Sequence, residues 1–242
     1  LKILLIGASG QLGTDLVKAL SRHQLLTPPH RSLDLVQTDR VRQVLQSEQP
    51  RVVINTAAFH RVDDCESEVS TAFQVNGEAV RNLALAARDI EAVLVHYSTD
   101  YVFDGVAGRP YREDDLPRPL NVYGASKLAG ENLLRAECRR HLIVRTSGLY
   151  GLAGDHSFVA VMLRLAARGR PIRVVDDQRL APTFTAHLAP KMVQLLASEA
   201  RGTVHVTNRG ECTWYEFAHR LFELAGLTVD LTPITSREFG AK

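Results

Sequence analysis

Tyr123 and Lys127 stand four residues apart in the segment Asn121-Val122-Tyr123-Gly124-Ala125-Ser126-Lys127. On a helix that spacing puts both side chains on one face, where they can share a ligand. A free phenol has a pKa near 10, and an adjacent ammonium favours the phenolate and lowers it. A shift of about 3 units takes roughly 4 kcal/mol. A desolvated Lys127 together with a second cationic group nearby is expected to supply it. Such a pair exchanges a proton with a carbonyl or alcohol oxygen. Tyr-x-x-x-Lys also arises by chance as two surface residues, so its weight depends on what surrounds it.

Upstream, Gly7-Ala8-Ser9-Gly10-Gln11-Leu12-Gly13 follows an apolar run, Ile3-Leu4-Leu5-Ile6, and opens a helical pattern. In a strand–turn–helix context Gly7 allows the tight turn, Gly10 lets backbone approach a phosphate, and Gly13 lets helix and strand pack closely. A helix N-terminus offers free N–H groups and the positive end of a dipole, which suits a pyrophosphate. The spacing is GxxGxxG, and three glycines alone also mark ordinary turns. The next strand end reads Leu26-Thr27-Pro28-Pro29-His30-Arg31-Ser32. It has no acid for a ribose 2′-hydroxyl, and Arg31 suits a 2′-phosphate. NADPH is therefore expected over NADH, with a solvated loop charge as the other reading of Arg31. Asp34, about 20 residues past the glycines, either reaches the adenosine half or caps a helix.

A third segment, Tyr97-Ser98-Thr99-Asp100-Tyr101-Val102-Phe103-Asp104-Gly105, follows another apolar run. Active-site groups of doubly wound sheets sit at the carboxyl ends of strands. Thr99 is placed to hydrogen-bond a substrate carbonyl and the Tyr123 hydroxyl, while Asp104-Gly105 is a turn.

These segments need a frame. Apolar runs near 25–27, 52–54, 92–95, 142–144 and 172–175 alternate with helical patterns near 11–20, 37–47, 70–88, 123–138 and 157–168. Such alternation predicts an α/β fold, a doubly wound parallel sheet with helices on both faces. After about residue 145 the pattern loosens. Helices near 185–198 and 213–225 flank a short strand, Thr203-Val204-His205-Val206. The expected division is a Rossmann-like dinucleotide-binding domain over 1–146 and a smaller, partly interleaved substrate lobe over 147–242.

Composition narrows the function classes. The 242 residues are 45% hydrophobic and 23% charged, as in soluble globular proteins. Lys+Arg is 29 and Asp+Glu 27, so no basic excess points to nucleic acid. Cys65, Cys138 and Cys212 form no CxxC, which suits a reducing, cytoplasmic setting. Cys65 sits among acids and is a poor nucleophile. The histidines form no HxxxH or HExxH pattern, so no metal is expected. Neither a signal peptide nor a membrane span is legible. The first residue is Leu1, and Ser236-Arg237-Glu238-Phe239-Gly240-Ala241-Lys242 ends on no recognisable element, so residues are expected to be missing at both ends. Trp214 and Tyr215 read as core anchors. Arg164, Arg168, Arg170 and Arg173 read as a solvated face.

With these segments in hand, the chain resembles the dTDP-4-dehydrorhamnose reductase family of the extended short-chain dehydrogenase/reductases. The residues that carry it are the glycine segment 7–13, Asn55-Thr56-Ala57-Ala58, Val62-Asp63 with Glu66-Ser67-Glu68, and Tyr97 to Gly105. Pro119 to Gly124, Lys127-Leu128-Ala129-Gly130-Glu131, Arg145-Thr146-Ser147, Asp177-Gln178 and Ala181-Pro182-Thr183 extend it. The resemblance implies that Gly7, Gly10, Gln11, Leu12 and Gly13 hold the pyrophosphate and that Asp34 and Leu35 border the adenine. It also implies that Ala57, Ala58, Phe59 and His60 line the cofactor, and that Tyr97 and Lys127 reach its nicotinamide half.

By the same resemblance Thr99, Asp100, Asn121 and Gly148 contact the sugar nucleotide, and Tyr123 is the proton donor. The implied reaction is reduction of the C4 ketone of dTDP-4-dehydro-L-rhamnose by NADPH or NADH. Gly148 stands where the family often has Trp, which leaves the sugar open. A C-terminal segment of several dozen residues, with part of the nucleotide pocket, is expected beyond this sequence. The implied partner is the sugar nucleotide, without nucleic acid or membrane, and a homodimer is compatible. The same resemblance admits a non-catalytic NADP-binding regulatory subunit like methionine adenosyltransferase subunit beta, or another sugar-nucleotide reductase, epimerase or dehydratase.

Overall fold

The computed structural model describes residues 1–154 and 157–240. The first strand, β1 (Lys2–Ile6), is buried from Ile3 onward. Its alternate residues serve two cores, as a strand covered on both faces must. Leu4 and Ile6 join one apolar cluster, and Ile3 and Leu5 join the other. Then come helix α1 (Gln11–Ala19), β2 (Gln24–Leu26), α2 (Thr38–Glu48), β3 (Val52–Asn55), β4 (Val93–Thr99) and β5 (His141–Thr146).

The sheet order is β2-β1-β3-β4-β5, with Gly202–His205 as a sixth strand beyond β5. All five pairings are parallel. The order reverses direction between β1 and β3, the place where doubly wound sheets bind ligands beyond their strand ends. Helices α2 and Ala79–Asp89 fill one face, where Val41, Leu45, Leu83 and Ala87 meet the strands. On the other face Leu12 and Leu16 of α1 pack with Leu188 and Met192 of helix Thr185–Ala197.

The expected helix near 70–88 is three pieces: Val69–Phe73, a π turn at Gln74–Glu78, and Ala79–Asp89. Ser157 and Thr213 cap helices Phe158–Ala166 and Trp214–Leu224 with their side-chain oxygens. Together with Ile172–Val175, paired in parallel with Leu231–Ile234, these form a third apolar cluster. Trp214 packs there against Phe158 at 4.7 Å between centroids.

Within the half expected to be a partly interleaved lobe, Thr203-Val204-His205 joins the large sheet. Helix Thr185–Ala197 likewise belongs to the large core. Residues 185–206 are therefore a return of the chain from the small lobe to the sheet. Ser236–Phe239 is a short helix, not an unstructured end. Thr235 and Glu238 form its capping box, and Asp177 Oδ1 accepts from Ser236 N at 2.8 Å. The pattern Thr-x-x-Glu was the signal, overlooked because no apolar run follows it.

Candidate active site

The glycine turn has the geometry its sequence implied. Gly7 lies at φ +83°, and a Cβ there would sit 2.4 Å from Thr56 Oγ1. A Cβ at Gly13 would sit 2.1 Å from the Gly7 carbonyl oxygen, so α1 packs on the turn by backbone alone. Gly10 is the N-cap of α1, no side chain satisfies the first-turn N–H groups, and no acid lies in that turn. These are the conditions for anion binding. Gln11 Oε1 is buried and without a partner beside this turn. An uncapped helix start, a side-chain-free cradle and an orphaned polar atom fit a dinucleotide's pyrophosphate.

Arg31 is exposed in the single turn His30–Ser32 after β2. The Asp34 carboxylate accepts from Val36 N at 3.1 Å, so it closes its own turn, and Leu35 is buried. Beyond β3, Ala57, Ala58 and Phe59 are half-buried and His60 is exposed. Asn76 brackets the Phe59 backbone: its Oδ1 accepts from Phe59 N at 2.8 Å, and its Nδ2 donates to Phe59 O at 2.9 Å. Asn76 Nδ2 also donates to Ser126 Oγ at 3.0 Å, tying this segment to the helix of Tyr123.

That helix is Val122–Glu137. Asn121 Oδ1 caps it by accepting from Gly124 N at 2.8 Å. Glu66 Oε1 accepts from Val122 N at 2.7 Å. A Cβ at Gly124 would meet the Tyr101 carbonyl at 2.1 Å, so the helix start sits directly on the strand-end segment. Tyr101 and Tyr123 pack edge to face, 5.5 Å between centroids. Thr99 ends β4 and donates to Asp100 Oδ1 at 3.1 Å. Ser147 Oγ donates to Asp100 Oδ2.

The electrostatics differ from the sequence expectation. Burial pushes the Tyr123 phenol above its ordinary value, the Thr99 hydroxyl opposes this, and the nearby Asp100 adds to it. Lys127 is buried, and loss of water pushes it down to about 8, against the pull of Glu131. Lys127 Nζ donates to Tyr97 O at 2.7 Å and lies 3.2 Å from His96 Nε2. The expected lowering of Tyr123 by Lys127 is thus not a property of the protein alone. Desolvation dominates both groups, a phenol and a weakened base one turn apart on the helix. Tyr97 meets Lys127 through its backbone carbonyl, while its phenol is buried without a partner.

Gly148 lies at φ +49°, and a Cβ there would be 2.5 Å from Leu180 Cδ1. The space beside Gly148 is thus filled by Leu180. Cys65 is buried, and burial and the neighbouring Asp64 and Glu66 push its thiol up to about 11. Sequence reasoning missed Asn55, Asn76, His96, Ser126 and Ser147 as site residues. The available signals were a histidine directly after the apolar run Val93-Leu94-Val95 and an asparagine at a core position of a helical pattern.

A parallel sheet with a glycine-bound helix start, and a Thr–Tyr–Lys set at the end of β4, defines the class of short-chain dehydrogenase/reductases. The sequence matches the RmlD substrate binding domain family over residues 1–242, and the chain belongs to that family. A Streptomyces griseus dTDP-4-dehydrorhamnose reductase is 45% identical, over 92% of this chain and 76% of its own. The spore coat polysaccharide biosynthesis protein SpsK of Bacillus subtilis is 40% identical, over 100% and 85%. The crystal structure of a Bacillus anthracis dTDP-4-dehydrorhamnose reductase in complex with NADP superposes with a TM-score of 0.95. It is 39% identical, with 99% of this chain and 85% of that one covered. Among the described residues no helix is long and apolar enough to cross a membrane.

Proposed function

We propose that this chain reduces the C4 ketone of dTDP-4-dehydro-L-rhamnose to dTDP-L-rhamnose, with NADPH as reductant, in nucleotide-sugar synthesis. The observation that carries the reading is that one helix brings Tyr123 to the Thr99 hydroxyl and Lys127 Nζ to the Tyr97 carbonyl at the end of β4, in a chain whose relatives bear that reductase name. NADPH, when bound, supplies the hydride. Gly7, Gly10, Gln11, Leu12 and Gly13 would hold its pyrophosphate, and Arg31 its 2′-phosphate. Ala57, Ala58, Phe59 and His60 would line its path from Asp34 and Leu35 toward Lys127 and the Tyr97 carbonyl.

Thr99 would turn its single hydroxyl hydrogen from Asp100 to the ketone oxygen and hold that oxygen beside the phenol. Tyr123 gives its proton to that oxygen as negative charge develops: the phenol O–H breaks and the alcohol O–H forms. Burial suits this task, since a desolvated phenol stays protonated until a stronger base appears. Asp100 and Asn121 would contact the sugar, with Gly148 and Leu180 shaping its far side. The small lobe is proposed as the part that closes over the sugar nucleotide. A reaction fed by reduced cofactor, and free thiols at Cys65, Cys138 and Cys212, support a cytoplasmic setting.

The test is the purified chain with the dTDP-4-keto sugar and NADPH, followed at the cofactor's absorbance and by product analysis. Formation of dTDP-L-rhamnose supports the reading. Cofactor binding without oxidation, across dTDP-4-keto sugars of both C5 configurations, would overturn it in favour of a binding subunit.

A further inference from the structure

Asp100 follows the last residue of β4, and two hydroxyls that mirror each other clamp its carboxylate. On one side Thr99 Oγ1 accepts from Tyr101 N at 3.2 Å and donates to Asp100 Oδ1 at 3.1 Å. On the other, Ser147 Oγ accepts from Ala181 N at 3.3 Å and donates to Asp100 Oδ2. A hydroxyl has one hydrogen and two lone pairs. Each backbone N–H claims a lone pair, so each hydrogen is left to point at the carboxylate. Both clamps are buried, with Thr99 6% and Ser147 5% exposed. They belong to different parts of the fold. Ser147 is the first residue after β5, and Ala181 lies between the short strands Arg179–Leu180 and Thr183–Phe184. Thr183 N in turn donates to Gly148 O at 3.1 Å. The clamp therefore spans the seam between the large sheet and the small lobe.

Ketone reduction disturbs one half of this clamp. The Thr99 oxygen stays fixed by Tyr101 N while its hydrogen swings from Asp100 to the ketone oxygen. Asp100 Oδ1 then loses a donor, and Ser147 is the side chain of the clamp that still engages the carboxylate. We propose that Ser147 is a positioning residue: its hydroxyl, aimed by Ala181 N, holds the Asp100 carboxylate as an acceptor facing Thr99 and the sugar while the Thr99 hydrogen is turned away. The inference rests on the reductase reading and deepens it. Oδ1, freed as Thr99 turns, takes a sugar hydroxyl beside the ketone. A protonated Asp100 would donate where both Thr99 and that hydroxyl need an acceptor.

The groups around Asp100 leave this task to Ser147. The phenols of Tyr101 and Tyr123 face it, from its own turn and from helix Val122–Glu137. From helix Val62–Ser67, Asp63 acts on Tyr101 and Cys65 on Tyr123. The small lobe contributes a hydroxyl and a backbone N–H, neither of them charged. Asp100 forms no ion pair among the described residues. Burial pushes its carboxyl above the ordinary value. The Ser147 hydroxyl is the largest influence against that rise, ahead of Thr99 and of the N–H groups of Asp100 and Tyr101.

The experiment follows the Asp100 carboxyl by carbon NMR in the whole unliganded chain, for the parent and for Ser147→Ala, and then turnover against pH. The parent carboxyl should titrate above an ordinary aspartate and be ionised at pH 7. In Ser147→Ala its proton affinity should rise about tenfold or more, and the acid limb of the turnover profile should move to higher pH with it. The KM for the sugar nucleotide should rise, while NADPH affinity by fluorescence titration changes little. A carboxyl titration unmoved in Ser147→Ala, or a loss of turnover equal at every pH, is what a merely structural serine gives, and either would overturn the proposal. If Ser147→Ala does not fold, the parent decides alone: a carboxyl protonated at pH 7 overturns the proposal and an ionised one upholds it. The carboxyl titration needs neither sugar nor cofactor. Failure of the reductase reading would therefore appear separately, as the expected titration in a chain that reduces no ketone.

Discussion

Glu131 and Arg145 meet inside the protein through two parallel bonds, Nε to Oε1 at 2.9 Å and Nη2 to Oε2 at 2.7 Å. Neither side chain has more than 3% of its surface exposed. Glu131 lies one turn beyond Lys127 on helix Val122–Glu137, and Arg145 lies on β5. The pair therefore fixes the helix that carries Tyr123 and Lys127 against the sheet that carries Thr99. Arg145 also stacks over the Phe103 ring, 5.1 Å from its centroid, which ties in the segment after Thr99.

Glu131→Gln leaves Arg145 buried and unpaired, and removing one partner of such a pair costs about 3–5 kcal/mol. Urea unfolding at neutral pH should show a loss of that size. Burial alone would raise the Glu131 carboxyl, but the Arg145 contacts outweigh it and hold the group below 4.5. Its contribution is therefore complete above 4.5 and lost as pH falls through the lowered value. The gap between parent and Glu131→Gln should narrow in acid. A constant gap would contradict the pairing.

Tyr123→Phe keeps the ring packed against Tyr101 and removes only the hydroxyl. Positioned proton donors contribute roughly 10²–10⁴-fold, so turnover should fall by that factor. Cofactor affinity, followed by fluorescence titration, should change little. Near-full turnover in this variant would remove Tyr123 from the donor role.

Arg31→Ala should weaken NADPH and spare NADH. A hydrogen bond to a charged group is worth about 1.5–3 kcal/mol, so the KM for NADPH should rise about tenfold or more. Equal effects on the two cofactors would show that Arg31 is a solvated loop charge with no phosphate to meet.

Lys127→Met tests the cost of burying the amine. The folded group titrates at about 8 against 10.5 for the ordinary value. Between those values the unfolded chain binds a proton that the folded chain lacks, so stability rises with pH across that window. Below about 8 the fold bears the full penalty, on the order of 3 kcal/mol. Met, without a charge, should gain most over Lys at pH 7, and the gain should shrink by pH 10. Denaturant midpoints at both pH values decide, and a pH-independent difference would count against a depressed Lys127.

The frame was legible because its signals are local. Val52-Val53-Ile54 announces a buried strand, and the Gly7–Gly13 spacing, read with its flanks, announces the turn and the helix start. Tyr123 and Lys127 were legible because helical spacing alone puts them on one face. His96, Asn55 and Asn76 were not. Each acts through a partner 17 to 50 positions away, and pattern along the chain carries no such information. The sign of the Tyr123 shift was missed for a related reason. Sequence spacing reports which charges can be near, but not how much water the fold removes. The returning strand escaped because a short run such as Thr203-Val204-His205 has no mark that names its neighbour.

That returning strand has a consequence for synthesis. Until residue 205 has left the ribosome, β5 presents a row of unpaired backbone groups along an open edge. The nascent sheet must wait while about 60 residues of small lobe and helix are made. Open edges of this kind recruit strands from other chains. Chains interrupted between β5 and Gly202 should therefore form aggregates rather than a soluble five-stranded domain.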